Sequence, residues 1–297
     1  MRGRCLQTAG RMERKNDKRM NYRLSRIAAI CGGKFSGCDS EVRSVVTDSR
    51  SLSCELGCRP MFVAMRGANH DSHDFIADMQ SRGVRAFLVE RGVEASSCTG
   101  ECGFVQVDNA IEALQRLAAY HRAQFRGTVV GITGSNGKTV IKEWIAEELP
   151  EGMKYYRSPK SYNSQLGVPL SVLMLEGDEE LAIFEAGISK PGEMERLERI
   201  IRPDAVIFTS IGDAHQENFI NLEQKCDEKM ILARSASKII YHSYYEPLGR
   251  MVAAHFADRR PVDAASYPEV PESVIGNAAS RRNAQIVEAF CAAMHYP

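Results

Sequence analysis

No stretch of this sequence is apolar for long enough to span a bilayer. Neither sign of charge is in excess: 38 Lys and Arg balance 38 Asp and Glu, so no global field draws the chain to nucleic acid or to an anionic membrane surface. The leading residues lack the hydrophobic segment of a secretory signal; they are polar and basic, with Arg2, Arg4, Arg11, Arg14, Lys15, Lys18 and Arg19. They read as a disordered basic tail, residues 1–20, or as an upstream extension of a chain that starts at Met20; a nucleic-acid arm is the weaker alternative. Internal repeats and low-complexity tracts are also missing. The nine cysteines are odd in number and scattered, which suits reduced thiols of a cytoplasmic protein better than a disulfide framework. Two C-x3-C pairs, Cys54/Cys58 and Cys98/Cys102, offer the four ligands zinc would need, but with no histidine or knuckle glycine beside them they are expected to be free of metal.

What is present is ordinary for a globular chain: 297 residues, 44% hydrophobic and 26% charged, enough for two domains. From Asn21 to about Phe125, short strand-like runs (44–50, 60–65, 86–90, 103–107) alternate with helical patterns. The helix over 73–83 is expected to bury Phe75, Ile76 and Met79 and to stop at Gly83. The helix over 109–125 is expected to bury Ile111, Leu114, Leu117, Ala118 and His121. This predicts a small N-terminal α/β domain, 21–125. A second domain, 126–297, opens with the buried-type strand TVVGIT, followed by a glycine loop and a helix whose apolar side is Val140, Ile141, Trp144, Ile145 and Leu149. Further strands at 180–186 and 204–210 flank a helix at 191–202. Such alternation predicts a mainly parallel sheet with ligands at the strand C-termini.

The loop GITGSNGKT departs from the usual phosphate-loop spacing, because the glycine expected five positions before Gly137-Lys138 is Ile132. Its context is nonetheless that of a phosphate site. Gly134, Ser135, Asn136 and Gly137 can turn backbone N–H groups inward, and the helix start adds partial positive charge. Lys138 can neutralise β/γ-phosphates and the Thr139 hydroxyl can ligate Mg²⁺. A bare Gly-Lys-Thr could be an ordinary turn with an exposed lysine; the strand before it and the helix after it favour a triphosphate. Glu185 ends an apolar strand on the same rim, where a carboxylate suits a divalent cation.

The shifted glycine is itself a clue. GITGSNGKT is similar to the ATP loop of the Mur ligase family, T-G-[TS]-x-G-K-[TS]. TDSR (47–50), MFVAMRG (61–67) and HDSHDF (70–75) resemble that family's N-terminal domain, with Ser72 where glycine is usual. SYNSQLGVPLSVL (161–173), FEAGISKPGEM (184–194) and IGDAHQENF (211–219) resemble its later segments, in order and at matching spacing over 40–235. The nearest branch joins D-Ala-D-Ala to UDP-MurNAc-tripeptide in peptidoglycan synthesis; its Bacteroidetes-like form is often fused to alanine racemase. Branches adding diaminopimelate or lysine share the fold and the loop. A non-catalytic nucleotide-binding fragment is the alternative from another class.

The resemblance implies ATP and Mg²⁺ as cofactors, a monomeric cytoplasmic enzyme, and no nucleic-acid or membrane partner. By carry-over, Ser49 and Arg50 contact the UDP-sugar, while Asn163 and Ser164 face phosphates and the muramoyl substrate. His215, with Glu185 and Thr139, serves the metal sites. Lys229 is the candidate for carbamylation by CO₂, which would turn an amine into an anionic oxygen ligand; Lys225 is its competitor. Asn283 is a candidate adenine contact, although the residues before it depart from the family text. Catalysis would rest on Lys138, His215 and Lys229, with ATP phosphorylating a substrate carboxylate and the dipeptide amine attacking the acyl phosphate. Family members carry a third domain that binds the incoming amine. It would begin near Pro297, so this chain is expected to be a shortened form that binds UDP-substrate and ATP but turns over little.

Overall fold

A computed structural model describes residues 20–52, 59–67, 71–90, 101–212 and 216–296. The basic tail, Cys54, Cys58, Cys98 and His215 therefore lie outside the described residues. The described residues build a five-stranded and a six-stranded sheet in succession, and a separate two-stranded antiparallel ribbon in the first module. The first module contains β1 (Tyr22–Arg23), α1 (Leu24–Cys31), β2 (Lys34–Gly37), β3 (Glu41–Val42), β4 (Ser44–Val46), β5 (Pro60–Val63), α2 (Ile76–Ser81), β6 (Ala86–Glu90), β7 (Gly103–Val107) and α3 (Ala110–Arg122). Its five-stranded sheet runs β2-β7-β6-β5-β4, parallel except for the β2–β7 pair.

The second module contains β8 (Thr128–Thr133), α4 (Lys138–Glu148), β9 (Tyr155–Arg157), α5 (Gly167–Val172), β10 (Leu181–Ala186), α6 (Glu193–Ile201) and β11 (Ala205–Phe208). It continues with α7 (Leu222–Met230), β12 (Lys238–Tyr241), α8 (Leu248–His255), β13 (Val262–Asp263) and α9 (Ala278–Met294). Its six strands run β13-β12-β11-β8-β10-β9, all parallel, which is the mainly parallel α/β sheet the strand–helix alternation predicted. Both faces are covered, so these strands read as continuous apolar runs. Val129, Ala182, Phe184 and Val206 point to one core, where α5 and α6 pack. Val130, Ile132, Ile183 and Ile207 point to the other, against Ile141 and Ile145 of α4 and Ile286 and Phe290 of α9. No helix among the described residues is long and apolar enough to cross a membrane.

The first core is shared between the modules: Leu24, Leu114 and Leu117 join Val172 and Leu197 in one cluster. Arg122, at the end of α3, donates from Nε to the Ile201 carbonyl (2.8 Å) and from Nη2 to that of Arg202 (3.0 Å), satisfying the last carbonyls of α6. His121 bridges the Tyr22 hydroxyl (2.8 Å) and the Leu175 carbonyl (3.1 Å).

Three side chains expected inside are not. Phe75 is 44% exposed because it lies in a 3-10 turn, Ser72–Phe75, ahead of α2; Ile76 and Met79 are buried as expected. Ile111 (37%) and Val140 (41%) are also exposed. In α3 the inward face is centred on Ala110, Ala113, Leu114, Leu117 and Ala118, where alanines let the helix approach closely. The strand expected over 44–50 ends at Val46 and gives way to a 3-10 turn, Ser49–Ser51. The Asp48 carboxylate accepts from the Arg50 backbone N–H and ends the strand there.

Candidate functional site: a phosphate loop at the strand ends

The loop between β8 and α4 leaves the sheet at its C-terminal edge, between the ends of β10 and β11. Gly134 (φ 148°) lies so close to β11's exit that a Cβ would fall 1.8 Å from Thr209 Oγ1. The loop is pinned from that side. Ser135 N donates to the Ser210 carbonyl (2.6 Å), and the Thr209 hydroxyl donates to the Asn136 carbonyl (2.6 Å). Ser135 Oγ also exchanges hydrogen bonds with the Gly212 backbone at 3.0 and 3.2 Å. Gly137 (φ 87°) is the N-cap of α4, so the helix's free N–H groups open onto the loop.

Around this loop Glu185, Lys225 and Lys229 are buried, Lys138, Thr139 and Asn163 are half-buried, and Asn136 and Ser164 are exposed. The Lys138 ammonium folds back onto the carbonyls of Gly134 (2.8 Å) and Ser135 (3.2 Å), and desolvation pushes its pKa down. The Lys229 ammonium lies 3.3 Å from the Gly134 carbonyl. Its pKa is pushed down to about 7, first by desolvation and then by the Lys138 and Lys225 ammoniums. Lys225, also buried, donates instead to the Gly212 carbonyl (2.6 Å). Glu185, wholly buried at the end of β10, accepts from the Thr139 hydroxyl (3.2 Å) and from Asn163 Nδ2 (3.4 Å), both through Oε2. Asn163, Ser164, Lys138 and Lys229 line one cavity of about 140 Å³ with Gly134 and Ser135.

The structure thus brings together Gly134 to Thr139, Asn163, Ser164, Glu185 and Lys229. Asn283 joins them from α9, its Oδ1 only 3.1 Å from where a Cβ on Gly137 would stand. Ser49 and Arg50 lie elsewhere, in the turn after β4. Arg50 forms a two-point pair with Asp48 there, Nε to Oδ1 at 3.0 Å and Nη2 to Oδ2 at 2.8 Å. A larger cleft, about 760 Å³, opens between that turn (Thr47, Asp48, Ser51) and Tyr155, Tyr156 and Tyr162 of the second module. Ser72, where the family text has glycine, uses its hydroxyl to hold both the N–H (2.7 Å) and the C=O (2.8 Å) of Met65.

One central residue escaped the sequence reading. Lys142 is fully buried one helical turn beyond Lys138, 2.8 Å from Glu185 Oε1. A signal existed: the buried positions of α4 are Ile141, Lys142, Ile145 and Ala146, so this lysine occupies the apolar stripe.

The Thr139 hydroxyl and the Glu185 carboxylate fit a small hard cation, since both are oxygen donors and Glu185 is wholly interior. Among the described residues no group of three His, Cys, Asp or Glu side chains could hold a metal alone. Mg²⁺ characteristically takes one or two protein oxygens and completes its shell with phosphate and water.

A parallel sheet with a glycine loop feeding a helix at its C-terminal edge defines a phosphate-loop α/β protein. Comparison narrows the class. Residues 132–264 match the Mur ligase middle domain, so the chain carries that domain. It is 31% identical over 189 residues to the UDP-N-acetylmuramoyl-tripeptide–D-alanyl-D-alanine ligase of Bacillus subtilis, covering 64% of this chain and 40% of that protein. It is 34% identical over 206 residues to the same-named ligase of Borreliella burgdorferi, covering 66% and 44%. The chain thus spans about two fifths of the length of these relatives. In fold it is similar to MurF from Acinetobacter baumannii, with TM-score 0.78, 22% identity, and 94% of this chain and 66% of that one covered. It is also similar to MurF ligase from Thermotoga maritima in complex with ADP, with TM-score 0.72, 22% identity, and 86% and 64% covered.

Proposed function

We propose that these residues supply the nucleotide site and the UDP-substrate site of an ATP-dependent ligase that joins D-Ala-D-Ala to UDP-MurNAc-tripeptide in the cytoplasm. Residues 21–125 form the UDP-substrate domain and 126–297 the ATPase domain. ATP lies with its phosphates on the 134–139 backbone. Lys138 swings from the Gly134 and Ser135 carbonyls to the phosphates and offsets charge as the γ-phosphoryl moves to the substrate carboxylate. The dipeptide amine then attacks the acyl phosphate, an amide forms and phosphate leaves. Thr139 and Glu185 would hold Mg²⁺, with His215 as a candidate for a second metal position; a bound cation would supply charge that lowers the repulsion between the two reacting anions. Asn163 and Ser164 orient the substrate, Ser49 and Arg50 hold its UDP end, and Asn283 faces the adenine. Lys229, unprotonated in good part near neutral pH, is the amine we assign to carbamylation by CO₂.

The observation that carries this reading is the convergence of Lys138, Thr139, Glu185 and Lys229 on one glycine loop, four groups that sequence separates by up to 91 positions. Calorimetric titration with MgATP tests it. The chain should bind, and Lys138→Ala should weaken binding by about 2–3 kcal/mol, roughly 30- to 150-fold, as expected for a charged donor lost from a desolvated site. Equal binding by the variant would remove the assignment. Phosphate release with UDP-MurNAc-tripeptide, with and without D-Ala-D-Ala, then separates a ligase site from a simple nucleotide binder.

A further inference from the structure

Lys142 is the most deeply buried cation near the loop that the proposed reaction leaves without a role. Its side chain has no solvent exposure, and neither has that of Glu185, 2.8 Å away. The ammonium also donates to the carbonyls of Ser158 (2.7 Å) and Lys160 (2.7 Å), so this one cation ties the turn after β9 to the end of β10. Glu143 Oε1, at 3.5 Å, is a more distant neighbour, and the Glu143 carboxylate is turned toward Arg157 at 3.0 Å.

Each contact has a consequence for the site. The pair with Lys142 occupies Glu185 Oε1 and leaves Oε2 to face the Thr139 hydroxyl. The bond to the Lys160 carbonyl ties down a turn in which Lys160 itself adopts a left-handed backbone (φ 49°), a conformation that costs a non-glycine residue free energy. That turn leads directly into Asn163, which reaches the same Glu185 oxygen. A buried ion pair is weak grounds for stability, because desolvating both charges offsets their attraction. Its geometric effect is not offset: with Oε1 against Lys142, Oε2 is the oxygen turned toward Thr139 and Asn163.

We infer that Lys142 is a positioning residue for the divalent cation of the bound nucleotide, acting through Glu185 and the 158–163 turn rather than by touching phosphate. This rests on the reading above that Thr139 and Glu185 hold that cation. Outer partners of a metal ligand commonly change metal affinity by roughly 10- to 100-fold when removed.

The test is calorimetric binding of ADP by the whole chain, once in EDTA and once in excess MgCl₂, with the ratio of the two affinities as the readout. Lys142→Met keeps the side chain's length and apolar stem. It should shrink the Mg²⁺ enhancement roughly tenfold or more. Glu185→Gln should shrink it as well; if Glu185→Gln keeps the wild-type ratio, the cation assignment fails and the positioning role fails with it. If Glu185→Gln loses the enhancement and Lys142→Met keeps it, only the positioning role is overturned. Lys142→Met leaves a buried carboxylate unpaired and can unfold the chain, so Lys142→Met/Glu185→Gln, which removes both charges, completes the cycle. A residue acting through Glu185 gives a double variant whose Mg²⁺ ratio equals that of Glu185→Gln alone. A further loss in the double variant would mean that Lys142 serves the nucleotide independently and would overturn the proposal.

Discussion

The two sites assigned to ligands occupy equivalent places in the fold and are built in opposite ways. Both follow a parallel strand at its C-terminal end: the glycine loop after β8, the Asp48–Arg50 turn after β4. Around the loop, Glu185, Lys142, Lys225 and Lys229 are buried. Around the turn, the Arg50 side chain is 88% exposed and its only described ion-pair partner, Asp48, is 41% exposed. Buried charges are held by several fixed partners and have little freedom to rearrange, which suits a site that must meet developing charge without reorganising. An exposed Arg–Asp fork contributes little to stability but can exchange Asp48 for a ligand phosphate at small cost. One site is prepared before the ligand arrives; the other is poised to trade partners.

Disturbing the prepared site should have the larger effect, and Gly134 is where to strike. Alanine there would combine a backbone angle of 148° with a Cβ 1.8 Å from Thr209 Oγ1 and 3.0 Å from the Ser210 carbonyl. Strain and overpacking together should destabilise the chain by about 3–5 kcal/mol. A urea midpoint within error of wild type would show that the loop yields easily and that the site is not rigid.

A more moderate effect tests whether its buried charges are under stress. Lys229 titrates at about 7 in the folded chain, against an ordinary value of 10.5. Between these values the unfolded chain binds the additional proton, so unfolding free energy should rise with pH over that window, with the penalty fully present below it. Denaturant titrations of wild type and Lys229→Met across this range should diverge by on the order of 3 kcal/mol, with wild type gaining as pH rises. Parallel curves would mean that the ammonium is solvated. Bicarbonate labelled with ¹³C should give a carbamate resonance in wild type that Lys229→Met lacks.

How much of this was readable beforehand divides along the same line. Strands 86–90 and 103–107 were legible to the residue, because burial on both faces leaves apolar side chains at every position but the half-buried Glu90 and Gln106. The loop was legible because glycines, a lysine and a helix start are a local pattern. Lys142 was not. In a string of letters a lysine amid Ile141 and Ile145 reads as a surface residue, and its partners Ser158, Lys160 and Glu185 are brought to it only by the β9–β10 crossover. Val140 and Ile111 failed for a related reason: period identifies an amphipathic helix but leaves its rotation about the axis open by one residue, and tertiary contacts settle it.

The smallest effect on folding belongs to the exposed turn, and it sharpens the contrast most. Arg50→Ala removes both side-chain bonds to Asp48 but leaves Asp48 accepting from the residue-50 backbone N–H, so the turn keeps its cap. The urea midpoint should stay within error of wild type, as expected for an exposed ion pair. Affinity for a UDP-sugar should nonetheless fall about tenfold, near 1.4 kcal/mol, since a two-point guanidinium contact to phosphate is lost. Paired chemical denaturation and calorimetric titration separate the two quantities. A variant that loses stability but keeps its affinity would make the Asp48–Arg50 fork a structural clasp, and the phosphate end of the substrate would then have to be sought across the cleft, nearer Tyr155 and Tyr162.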